Sequence, residues 1–113
     1  MTASSKITSL ANLIEQNITV GSHIYLEGIL ANRLPMAAIH EIIRAQVKKL
    51  RIVSAPGSIG VDQLIGAGSV SDLEFYFLGV MTKTGFATMR RFREAAERGT
   101  IRVKESMGYA ICM

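Results

Sequence analysis

Few residues of this chain are equipped for chemistry, and none stands in a self-sufficient catalytic arrangement. Two carboxylates are singled out by position. Glu27 follows the apolar stretch His23–Leu26, and Glu105 follows Ile101-Arg102-Val103-Lys104. A carboxylate at the end of a buried strand can act as acid or base if desolvation raises its pKa. The plainer reading of each is a solvated loop carboxylate. Arg33 is a fork-shaped donor in a glycine-containing loop, suited to an anion, or else to a surface ion pair. Lys83 lies in a second glycine-containing loop. His23 and His40 are far apart and Cys112 has no ligand-type neighbour, so no metal site is indicated. No G-x-S-x-G or comparable nucleophile motif occurs. The loop Ser54–Gly60 has the position of a phosphate cradle, but it lacks both G-x-G-x-x-G and G-K-[ST]. A tight turn is its simpler reading.

The elements that must carry these residues follow from periodicity. Leu10, Leu13 and Ile14 predict a helix over Thr8–Asn17, with Thr8 or Ser9 as cap. His23–Leu26 reads as a short buried strand. Pro35 opens a helix whose apolar stripe is Met36, Ile39, Ile42, Ile43 and Val47, with Lys48 and Lys49 at its C-terminal dipole. Leu50–Ser54 is a second strand. Val61–Ile65 gives one or two helical turns before the Gly66-Ala67-Gly68 stop. Leu73–Leu78, almost continuously apolar, reads as a central parallel strand, and Gly79–Gly85 as a loop. A long helix over Phe86–Arg98 should turn Phe86, Met89, Phe92 and Ala96 inward and end at Gly99. Ile101–Val103 is a fourth strand.

Strands alternating with amphipathic helices predict an α/β domain over residues 1–113, with a mostly parallel open sheet flanked by helices and right-handed crossovers. Ligands of such sheets sit at the carboxyl ends of the strands. Three loops leave those ends: Glu27–Leu34, Ala55–Gly60 and Gly79–Gly85. Each contains glycine, which lets backbone approach a ligand closely.

Composition narrows the classes. The chain has 113 residues, 49% of them hydrophobic and 19% charged, which excludes intrinsic disorder. Its single cysteine cannot form an internal disulfide. The N-terminus is polar, and no apolar run approaches the ~20 residues that span a bilayer. These features lead us to expect a cytoplasmic protein. The pI of about 9.6 raises the question of nucleic acid. However, the densest basic cluster, Arg90 to Arg98, is interleaved with Glu94 and Glu97 at helical spacing. That is a solvated, charge-laced face, so neither nucleic acid nor membrane is expected as a partner.

The run Val20-Gly21-Ser22-His23-Ile24-Tyr25-Leu26-Glu27-Gly28-Ile29-Leu30-Ala31-Asn32-Arg33-Leu34-Pro35 resembles the signature of the A (alpha) subunit of family I coenzyme A transferases. These include the 3-oxoacid and glutaconate CoA-transferases. That signature reads Asp-Gly, two residues, three apolar residues, Gly-Gly-Phe, three residues, Gly or Arg, one residue, Pro. Further on, Asp62-Gln63-Leu64-Ile65-Gly66-Ala67-Gly68 resembles the family's Asp-x-Leu-Ile-Gly-x-Gly segment. The passage Phe92-Arg93 through Thr100–Val103 resembles the helix and strand after it. The resemblance covers the chain from Lys6 onward, and about the first half of a typical alpha subunit, so the sheet should be incomplete. Val20, Glu27 and Ile29 depart from the signature. Glu27 stands where the family brings bare backbone to the substrate and should narrow or recharge that loop.

The resemblance implies a two-subunit enzyme that moves CoA from an acyl-CoA to a free carboxylic acid. The thioester is attacked by a glutamate of the B (beta) subunit, and a glutamyl-CoA forms. The alpha subunit lines the acyl pocket with loop N–H groups that can meet an oxyanion. Carried onto this sequence, the substrate-binding candidates are Gly28, Asn32, Arg33, Ala55, Gly57 and Lys83. Glu27 and Glu105 are the catalytic candidates. The CoA thioester is a substrate, and no permanently bound cofactor is implied. The alternatives are an acyl-CoA hydrolase or ring-opening enzyme on the same scaffold, or a shortened non-catalytic binding partner. The apolar run Tyr109–Met113 suggests an uncovered sheet edge that seeks a partner, hence a hetero-oligomer.

Overall fold

A computed structural model of the chain describes residues 5–26, 28–107 and 110–111. Helix α1 (Leu10–Asn17) is capped by Ser9, whose Oγ accepts the Asn12 N–H at 3.2 Å. Then follow β1 (His23–Leu26), α2 (Met36–Arg44), β2 (Leu50–Ser54), α3 (Ile59–Gly66) and β3 (Val70–Phe75). A two-stranded antiparallel hairpin, β4 (Gly79–Thr82) and β5 (Gly85–Thr88), precedes α4 (Arg90–Arg98) and β6 (Arg102–Glu105). Most of the apolar run Tyr109–Met113, Cys112 included, lies outside the described residues.

The main sheet has four strands in the order β1-β2-β3-β6, and every neighbouring pair is parallel. An order that advances in one direction through right-handed crossovers places the connecting helices on one face. Accordingly α1 packs on α2, α2 on α3, and α3 on α4. The strands give Leu26, Leu50, Ile52 and Leu73 to the core beneath that helical layer. Helix α2 adds Ile39 and Ile42, and α3 adds Val61, Leu64 and Ile65. The opposite face is polar. There Arg102 pairs with Asp72 at 2.7 Å and Lys104 with Glu74 at 3.0 Å. Hydrogen bonds from Ser71 and then Arg102 hold the Asp72 carboxyl below the usual carboxylate value. Ser106 and then Lys104 do the same for Glu74.

Several boundaries differ from the sequence expectation. The strand expected at Leu73–Leu78 starts at Val70 and stops at Phe75. Beyond it the chain leaves the sheet to pair with the loop after β2. The Gly57 N–H donates to the Phe77 carbonyl at 2.8 Å, and the Gly79 N–H to the Gly57 carbonyl at 3.2 Å. The expected loop Gly79–Gly85 is instead the first arm and turn of the hairpin. Phe86 belongs to β5, not to a helix. It packs edge-on against Phe77, with centroids 5.1 Å apart, and is 60% exposed. Helix α4 therefore begins at Arg90, and Ala95 rather than Ala96 is its buried residue. Lys48 serves a different helix from the one expected. Its Nζ donates to the carbonyl of Ala67 at 2.9 Å, beyond the C-terminus of α3.

Helix α4 begins without a cap of its own. Met89 precedes it, and its first turn has no acid. Asp62 of α3 supplies the missing acceptor. Its Oδ1 accepts the Phe92 N–H at 2.9 Å and its Oδ2 faces Arg91 Nη1 at 3.1 Å. A Cβ at Gly66 would collide with the Arg91 side chain. The Asp-x-Leu-Ile-Gly segment is thus the seam between α3 and α4.

Candidate functional site

The loops at the carboxyl ends of β1 and β2 enclose a cleft of about 450 Å³, lined by Tyr25, Gly28, Ile29, Arg33, Pro35 and Ala55. The loop after β1 owes its form to one tight turn. The Ile29 N–H donates to the Asn32 carbonyl at 3.0 Å, and the Asn32 N–H to the Ile29 carbonyl at 2.8 Å. Closing it puts Leu30 at φ 53° and Arg33 at φ 59°, in the left-handed region that costs a side-chain-bearing residue roughly 1 kcal/mol. Gly28 is required there. Its φ is 143°, and a Cβ would stand 2.7 Å from Leu34 Cδ2 and 3.2 Å from the Asn32 carbonyl. The folded loop brings Arg33 to the cleft that Tyr25, near the end of β1, also lines.

Of the candidates named from the sequence, Gly28, Arg33 and Ala55 line this cleft. Asn32 contributes its backbone to the turn. Gly57 is buried beneath Leu78, where a Cβ would approach Leu78 Cδ1 to 2.5 Å. It admits the crossing chain rather than lining the cleft. Lys83 sits in the two-residue connection between β4 and β5, away from the cleft lining. Glu105 ends β6, at the opposite edge of the sheet from β1. Three strand spacings, about 14 Å, separate those edges. It borders a different hollow, with Tyr76, Ser106 and Met107. Glu27 lies outside the described residues. Tyr25, Ile29 and Pro35 complete the cleft lining, although residue type alone does not mark them as site residues. Tyr25 has a usable signal in its position, one residue before the end of the strand that opens the loop.

A second hollow of about 240 Å³, almost wholly apolar, adjoins the first through Ile29 and is formed with Leu30, Pro56, Tyr76, Phe77 and Phe86. His40 bonds Gln63 through Nε2 at 3.0 Å on the helical side of the molecule. Among the described residues, no cluster of three or more His, Cys, Asp or Glu side chains could hold a metal ion. No described helix is long and apolar enough to cross a membrane.

Residues 7–109 match the family described as coenzyme A transferase. The chain belongs to that family. It is 34% identical over 95 residues to the alpha subunit of the 3-oxoadipate CoA-transferase of Pseudomonas knackmussii, covering 84% of this chain and 32% of that one. It is 30% identical over 102 residues to the alpha subunit of the glutaconate CoA-transferase of Acidaminococcus fermentans, covering 89% of this chain and 31% of that one. The crystal structure of that glutaconate CoA-transferase superposes with a TM-score of 0.82 at 28% identity, over 95% of this chain and 33% of that one. The decarboxylase AibA/AibB superposes with a TM-score of 0.86 at 26% identity, over 92% of this chain and 39% of that one. The chain thus spans about a third of the length of the alpha subunits it matches. Members of this CoA-transferase family take a CoA thioester as substrate.

Proposed function

We propose that this CoA-transferase chain, a single α/β domain over residues 1–113, provides the acyl-pocket wall of an alpha subunit. The enzyme it serves moves CoA between an acyl-CoA and a carboxylic acid. The observation that carries the reading is the cleft at the carboxyl ends of β1 and β2, where Arg33 and Tyr25 converge on a glycine-shaped turn. A guanidinium there can pair with a carboxylate, or with the oxygen that gains charge as a thioester is attacked. The Tyr25 hydroxyl is a second donor in the same space.

The nucleophile in this reading is a glutamate of a partner beta subunit. Its carboxylate attacks the thioester carbon, the C–S bond breaks, and CoA leaves as thiolate. The thiolate then attacks the glutamyl carbonyl of the mixed anhydride, releases the acyl carboxylate and leaves a glutamyl-CoA thioester. A second carboxylic acid reverses both steps and departs as the new acyl-CoA. Both acids pass through the Arg33 cleft, with Gly28 and Ala55 admitting backbone close to the reacting carbonyl. Glu105, remote from the cleft, takes no part. The two related alpha subunits bear the names of 3-oxoadipate and glutaconate, both dicarboxylic acids.

The test is to co-express the full chain with its partner in the cytoplasm of a host. The complex is incubated with an acyl-CoA, reduced with borohydride and digested. Recovery of a reduced glutamate in a partner peptide supports the reading. Thioester consumption without any trapped glutamate would instead indicate a hydrolase on this scaffold.

A further inference from the structure

The two hollows that meet at Ile29 differ in chemistry. The larger holds Arg33 and the Tyr25 phenol. The smaller is walled by Leu30, Pro56, Tyr76, Phe77 and Phe86, and its surface is almost wholly apolar despite the Tyr76 phenol. Ile29, 58% exposed, belongs to both walls. Its position is fixed by the two backbone hydrogen bonds it exchanges with Asn32. The far wall is fixed as well, because Phe86 packs edge-on against Phe77. Phe77 in turn is tied to the loop after β2 through the Gly57 N–H. A ligand bridging the two spaces meets a cation at one end and aromatic and aliphatic side chains at the other. The other cationic candidate, Lys83, lines neither hollow.

We propose that the acid handled by this site is a monocarboxylic acid with an apolar chain. Its carboxylate faces Arg33 and its chain passes Ile29 into the Phe77–Phe86 hollow. The proposal rests on the reading of the Arg33 cleft as the acyl site and adds the substrate class. A dicarboxylic acid of similar length would have to leave its second charge in the apolar hollow, without a cation among the described lining residues and at a desolvation cost. A short acid would leave the apolar wall uncovered. Ile29 and Phe86 are thereby specificity-determining residues. Each buried methylene should tighten binding by about fourfold.

The test is calorimetric titration of the complete complex that contains this chain. The probes are propionate, hexanoate, adipate and 1-hexanol, applied to wild type and to Arg33→Met and Phe86→Ser. Phe86 is largely exposed, so its serine variant should keep the fold. We expect hexanoate to bind at least about tenfold more tightly than propionate and than adipate. Phe86→Ser should erase the preference for hexanoate over propionate. Arg33→Met should weaken both monoacids by about tenfold and leave hexanol unchanged. Adipate binding more tightly than hexanoate through Arg33 would overturn the apolar-chain proposal while leaving the acyl-site reading intact. Acids that bind independently of Arg33 would overturn both.

Discussion

Replacing Asp62 with alanine should destabilise the fold far more than removing its ionic partner. The carboxylate is 2% exposed and does two things for α4. It accepts the Phe92 N–H at 2.9 Å, and it places a negative charge at the positive end of a helix whose own first turn has no acid. Loss of a capping acceptor costs about 1 kcal/mol, and loss of a hydrogen bond to a charged group costs about 1.5–3 kcal/mol. These overlap, so about 3 kcal/mol is expected for Asp62→Ala. Asp62→Asn keeps an acceptor for Phe92, but it loses the charge and turns a donor NH2 toward the Arg91 donor, at about 1.5 kcal/mol. Arg91 is 56% exposed, so water screens its share of the pair, and Arg91→Ala should cost well under about 1 kcal/mol. Urea denaturation measures all three. Thermal midpoints should fall by about 4 °C per kcal/mol for a domain of this size. Amide exchange should show the loss concentrated at Phe92 and Arg93. The capping role is disproved if Asp62→Ala lies within about 0.5 kcal/mol of wild type, or if Arg91→Ala is as costly.

Three further outcomes are expected. Gly28→Ala should destabilise by about 2 kcal/mol or more and abolish acid binding, because φ 143° and a 2.7 Å approach to Leu34 both oppose a methyl group. A variant that binds acids normally would show that the turn does not shape the cleft. Acidification should weaken the fold through Asp72 and Glu74, whose carboxyls are held low in the folded state. Their contribution is complete above the ordinary carboxylate values and is lost as pH falls through the lowered folded ones. Asp72→Asn with Glu74→Gln should therefore flatten the loss of stability between neutral pH and about pH 3, and an unchanged slope counts against those contacts. Glu105→Gln should leave CoA transfer within about twofold of wild type in a coupled thioester assay, and a loss of about a hundredfold would restore Glu105 to the catalytic machinery.

Much of the fold was legible because its signals are local. Ile39 and Ile42 recur on one face of α2 and are both buried, and the apolar runs at β1 and β2 became parallel neighbours. The charge ladder of α4 also formed as spaced, with Arg90 against Glu94 and Arg93 against Glu97. The misreadings come from contacts that hydrophobic periodicity alone does not register. Phe77 and Leu78 look like more strand, but Gly57 draws them out of the sheet. Phe86 falls at helical spacing with Met89 and Phe92, yet the Lys83-Thr84 connection folds it back as β5. That connection lacks the Asn-Gly or Asp-Gly that marks most two-residue hairpins. The cleft was half legible. Arg33 and Gly28 stood out by type and Tyr25 only by its position near the end of β1, whereas Ile29 becomes a lining residue only once the turn places it beside Arg33. Asp62 was visible as part of a motif, but its task is set by a helix that starts twenty-eight residues later without a cap.

Photo-crosslinking probes the acyl-site assignment without relying on catalysis. An acyl-CoA that carries a diazirine on its acyl chain is applied to the intact complex, and the label is mapped by mass spectrometry. Label is expected on the segment from Tyr25 to Pro35 and at Ala55, displaced by excess free acid and reduced in Arg33→Met. Label confined to the partner, or to the β6 edge around Glu105, would contradict the assignment.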